Sequence, residues 1–160
     1  MTTSLKKGLK SVSQFGGTPY GNQSVLRFTV STTSAGIWTD GSLATAGAIT
    51  DELIPGILPA GMRLDDCLAI VSDAFAASQT VKVGFRYVDG VDSTAVPQDA
   101  DYFFAALALS AAGRTRANNT AVAPVVLPKD AYLVIDLDGA AMSVAGVLVL
   151  LVEGVIGGAP

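Results

Sequence analysis

The stretch Val81-Lys82-Val83-Gly84-Phe85-Arg86-Tyr87-Val88 decides the fold class. Its odd positions are large and apolar, and its even positions are Lys, Gly and Arg until Val88 breaks the rule. Successive side chains of an extended strand point to opposite faces, so this period of two describes a strand with one dry and one wet side. Val25-Leu26-Arg27-Phe28-Thr29-Val30 alternates in the same way, with Leu26, Phe28 and Val30 on one side. In Ala131-Tyr132-Leu133-Val134-Ile135-Asp136-Leu137-Asp138, Leu133, Ile135 and Leu137 face inward while Asp136 and Asp138 face out.

Further strands are expected at 63–72, ending in Cys67-Leu68-Ala69-Ile70-Val71, and at 101–110. The second contains Ala105-Ala106-Leu107-Ala108-Leu109, whose composition favours helix. No capping residue sets up a helical stripe there, and Gly113 follows soon after, so strand is preferred. Val122 to Leu127 carries Pro124, which suits an edge strand or a strand start. Clusters of Gly, Pro, Asn and Asp separate these segments, as in an antiparallel sandwich or barrel. Leu58-Pro59-Ala60-Gly61 and Leu127-Pro128-Lys129-Asp130 both run Leu-Pro, a turn, then a strand, which suggests the two related halves of a jelly roll. Residues 35–60 form a long small-residue connection with room for a short helix or an edge strand. Residues 1–23 read as an extended N-terminal arm, and 24–160 as a single β-sandwich domain.

The chain has 160 residues, enough for one domain with a sizeable core. It contains no histidine and one cysteine, Cys67. That removes serine–histidine and cysteine–histidine catalysis, His/Cys zinc sites and an intrachain disulfide framework. Charge is segregated. Lys6, Lys7 and Lys10 put three positive charges in the first ten residues, whereas the rest carries seven basic and fourteen acidic side chains. An acidic body disfavours direct nucleic-acid binding, and the basic arm suits an acidic partner. Fourteen uncharged residues, Gly139 to Val152, fall short of the roughly twenty that span a bilayer, so no membrane partner is expected.

Carboxylates lie close together at Asp65/Asp66, Asp89/Asp92, Asp99/Asp101 and Asp136/Asp138. A glycosidase needs two facing carboxyls, but turn entries and strand ends produce the same spacing, and no catalytic residue is assigned. Asp89, Asp92, Asp99 and Asp101 hold oxygen donors of the kind calcium takes, without a calcium-loop signature, so no metal or cofactor is assigned either. Arg114 and Arg116 project the same way if extended, toward an acidic neighbour. From Val147 to Val152 both faces are apolar. Such a strand is covered twice, by lying centrally under another layer or by a second copy of the chain. The second case makes a homo-oligomer, a dimer or a trimer.

The run from Asp101-Tyr102-Phe103-Phe104 to Gly113-Arg114, then Val126 to Val134, then Gly146 to Glu153, resembles the small jelly-roll decoration (cement) proteins of tailed phages. Leu58-Pro59-Ala60-Gly61 and the lysine-bearing, glycine-rich arm are similar to that group as well. The resemblance implies a non-enzymatic virion protein. It would be made in the host cytoplasm and seated on the outer capsid surface, where it binds the major capsid protein and bridges capsomers. Lys6, Lys7, Lys10, Arg114 and Arg116 are the residues of this chain expected to meet a partner. A carbohydrate- or ligand-binding β-sandwich module is the competing expectation, and a carboxylate hydrolase ranks behind it.

Overall fold

A computed structural model describes residues 1–8, 23–119 and 123–156. Among these residues, ten strands run in chain order: β1 Thr3–Leu5, β2 Gln23–Thr32, β3 Glu52–Leu58, β4 Met62–Asp73, β5 Thr80–Tyr87, β6 Asp99–Ala108, β7 Gly113–Arg116, β8 Val125–Val126, β9 Ala131–Asp138 and β10 Gly146–Ile156. They form two five-stranded sheets. The first has the order β1-β3-β9-β5-β6; the second has β2-β10-β4-β7, with the short β8 also on β4. Apart from the β5–β6 hairpin and the additions β1 and β8, successive strands switch sheets. This is the eight-stranded double Greek key of a jelly roll. The expected all-β, jelly-roll-like sandwich is therefore what the chain forms.

The alternation in β5 places Val81, Val83, Phe85 and Tyr87 in the core while Lys82 and Arg86 stay half-exposed. In β2, Leu26, Phe28 and Val30 are buried, and in β9 Leu133, Ile135 and Leu137 are. β6 departs from period two. Tyr102, Phe103 and Phe104 are buried in succession because the strand bulges: Val83 pairs with Phe104, yet Phe85 already pairs with Asp99. The bulge passes directly over Gly84, where a Cβ would lie 2.0 Å from the Asp99 carbonyl oxygen.

The connection 35–60 is where sequence and structure differ most. Neither a helix nor an edge strand lies there: β3 is an inner strand, buried along its whole length. Pro55 is tolerated because the ladder to β9 skips between Leu53 and Gly56, so no pairing N–H is needed at that step. Gly56 then lets the ring of Phe28 come close, since a Cβ there would fall 2.0 Å from the Phe28 ring. The Leu-Pro turns do come together. Gly61 N–H donates to the Leu127 carbonyl, Leu127 N–H to the Met62 carbonyl, and Ala60 N–H to Asp130 Oδ1 at 2.8 Å.

Residues 3–5 of the expected arm are a strand. β1 runs parallel to β3, with Thr3, Ser4 and Leu5 opposite Glu52, Leu53 and Ile54. Its other side is held by the 40–42 turn, where Lys7 N–H meets the Asp40 carbonyl and Ser42 N–H the Leu5 carbonyl. Residues 9–22 lie outside the described residues.

Candidate functional site

The basic residues singled out from the sequence occupy two separate places. Lys6 and Lys7 follow β1, where Lys6 N–H donates to the Ile54 carbonyl and the Lys7 side chain is exposed. Lys10 lies outside the described residues. Arg114 and Arg116 sit on β7, at the far end of the second sheet from β2, whereas the 38–42 turn against Lys6 and Lys7 bonds to β2 itself. The structure thus places Lys6 and Lys7 at one edge of the sandwich and Arg114 and Arg116 at the other.

β7 is fully exposed and carries no apolar residue. Its position comes from the ladder to β4, with Arg114 opposite Ile70 and Arg116 opposite Leu68. Arg116 pairs with Asp66 and stands 3.7 Å from Glu153, two acids that raise its proton affinity further. Arg63 is bidentate on Asp65 at 2.6 and 3.1 Å. β10 lies between β2 and β4, so its inward residues Leu148, Leu150 and Val152 meet the core while Val147, Val149 and Leu151 are half-buried on the outer side. One of its apolar faces therefore has its cover within the chain, and neighbouring strands flank the other.

The carboxylate pairs are dispersed. Asp89 is held by Lys129 at 2.7 Å, which lowers its pKa below the ordinary value. Asp92 accepts from the backbone N–H groups of Ser93 and Gln98. Burial raises the Asp99 carboxyl, and a hydrogen bond with Asp101 adds to the effect. Burial also raises Asp136, with the nearby Glu52 charge adding to it. Among the described residues, no group of three or more acidic or cysteine side chains is placed to hold a metal. Cys67 is buried, and desolvation followed by the charges of Asp66 and Glu153 pushes its thiol far above the ordinary range, an inert setting.

A feature that sequence reasoning missed lies on the outer face of the first sheet. Glu52 is 3% exposed and receives both guanidinium bonds of Arg86, at 2.7 and 2.9 Å, and the Thr3 hydroxyl at 3.2 Å. Arg86 also stacks over Tyr132, 5.3 Å from the ring centre. Glu52 and Arg86 lie 34 positions apart, so only the β3–β9–β5 order could have revealed the pair. At the β5–β6 end a cavity of about 370 Å³ is lined by Phe85, Val96, Pro97, Asp99, Tyr102 and Val125. Its aromatic rings belong to the core. Among the described residues, the large exposed apolar side chains are all aliphatic, so none offers a ring for stacking a sugar.

What these features define is a closed jelly-roll scaffold in which Arg63, Arg86, Arg116 and Lys129 are paired with acids of the same chain. The fold is shared with chains of phage capsids. A chain of the capsid of Ralstonia phage GP4 is similar at a TM-score of 0.64 and 16% sequence identity, over 99% of this chain and 100% of that one. A chain of the cyanophage Pam1 capsid asymmetric unit is similar at a TM-score of 0.57 and 14% identity, over 92% and 94%. At these identities the likeness is one of fold. No known family profile matches the chain, and no curated protein matches it in sequence.

Proposed function

We propose that this chain is a non-enzymatic structural subunit of a phage virion, specifically a decoration (cement) subunit on the outer surface of the head. There it binds the major capsid protein and bridges neighbouring capsomers. The observation that carries the proposal is the end-to-end likeness to a capsid chain, 99% of one chain on 100% of the other. The chemistry of the surface agrees with it. Asp65, Asp66 and Asp89 pair with basic side chains, Asp92 with backbone amides, and Cys67 is buried. Many modest contacts repeated over a symmetric shell add up to durable attachment, so no deep cleft is required. Association of copies into a dimer or trimer belongs to the same proposal and is read from the mass in solution.

The test is co-sedimentation of the purified protein with empty shells of the encoding phage, together with the heat resistance of those shells. Saturable binding at a fixed ratio to coat subunits, with shells that survive higher temperature, is the expected result. Failure to sediment with shells, or strong hits on a glycan array instead, would overturn it.

A further inference from the structure

We infer that the outer face of the second sheet is the surface through which the chain meets the shell, and that its partner there is an apolar ridge flanked by carboxylates. This inference rests on the virion proposal above. The register lays out the face in rows. Thr29, Val149, Ile70 and Arg114 stand side by side across β2, β10, β4 and β7; Arg27, Leu151, Leu68 and Arg116 form the next row. Directly opposed residues point to the same side of a sheet, and Leu68, Ile70, Val149 and Leu151 are the half-buried outward members of their strands. They make a continuous apolar stripe with a guanidinium at each margin, roughly 14 Å apart at ordinary strand spacing.

Charge argues for a foreign partner. Of the seven basic residues beyond position 10, Arg27, Arg63, Arg114 and Arg116 lie on this face of an otherwise acidic chain. Arg63 and Arg116 are engaged by Asp65, Asp66 and Glu153, which close the lower rows of the face. Among the described residues, Arg27 and Arg114 have no ion pair, and both are exposed. Asp73, at the β4 end of the row above, is the remaining acid there. A two-fold self-docking of the stripe sets arginine against arginine in either orientation, an unfavourable match. An acidic surface with an apolar centre satisfies both margins.

The experiment compares wild type, Arg27→Glu/Arg114→Glu and the milder Arg27→Gln/Arg114→Gln in the shell co-sedimentation assay, with thermal melts to confirm folding. Both positions are exposed and unpaired, so the melts should match wild type. Facing acids repel the reversed charges, and the reversal is expected to weaken shell binding by roughly tenfold or more. Raising salt from about 0.05 to about 0.5 M should weaken wild type more than either variant. Equal binding of a folded reversal variant and wild type overturns this inference and leaves the virion proposal standing. Wild type that ignores shells overturns both. An oligomer that falls apart on charge reversal, with shell binding unchanged, assigns the face to a second copy and overturns the inference.

Discussion

Replacing Glu52 by Gln tests how the first sheet holds its charged outer face and the strand at its edge. The side chains are nearly the same size, so the core is not opened. What changes is that one of two strong guanidinium bonds, at 2.7 and 2.9 Å, meets an amide donor instead of an oxygen. Removing one partner of a buried ion pair costs about 3–5 kcal/mol when the other is left without compensation. Arg86 keeps 34% of its side chain in solvent and its stack on Tyr132, so water repairs part of the loss. We expect a net cost of roughly 2–3 kcal/mol, at or below the lower end of that range. For a domain of this length that lowers Tm by roughly 4–12 °C, read by calorimetry or circular dichroism. Arg86→Met should cost more alone, because it leaves the buried Glu52 carboxylate without its counter-charge. The double variant should fall short of the sum of the singles by roughly 1 kcal/mol or more, because its partner's loss has already been counted. A Glu52→Gln protein melting within about 2 °C of wild type would show that the pair contributes no more than an exposed one.

Gly84→Ala drives a methyl into the Asp99 carbonyl and Ala100, where a Cβ would sit 2.0 and 2.4 Å from backbone atoms. Backbone yields less readily than side chains, so a loss of about 1–3 kcal/mol is expected in denaturant titration. Asp136 has its pKa raised above 3.8 by burial and then by Glu52, so the folded state holds that proton more tightly than the unfolded chain. Its contribution is full below the unfolded value and lost as pH rises through the folded one. Asp136→Asn should therefore raise Tm at neutral pH and leave it unchanged in acid; an equal rise at both would refute the account. Cys67 should resist thiol reagents at mildly alkaline pH in the native protein and react once denaturant is added.

Much of the scaffold was legible because its strands have one dry face. β5, β2 and β9 write the period of two directly, and the Leu-Pro turns that start β4 and β9 announce themselves by composition. β3 was hidden for the opposite reason. Covered along all seven residues and interrupted by Pro55 and Gly56, it has no wet side to alternate with. β6 lost its rhythm where three aromatics in a row turn inward at a bulge. β7 has no apolar residue, so only its ladder to β4 defines it. The pairing of Arg114 and Arg116 on one face followed from spacing alone, whereas Arg27, across the sheet, required knowing that β10 separates β2 from β4. The Glu52–Arg86 clasp depended on the same kind of long-range order.

The central seat of β10 carries a consequence for biosynthesis. β2 and β4 are never hydrogen-bonded to each other; each pairs with β10, which is translated after both. At about 5–20 residues per second, the nascent polypeptide passes several seconds with two half-dressed strands awaiting a third from more than seventy positions downstream of β4. Distant closure of this kind is slow, and a chain ended before Gly146 lacks the one strand that β2 and β4 share, so neither half can stand as a smaller domain.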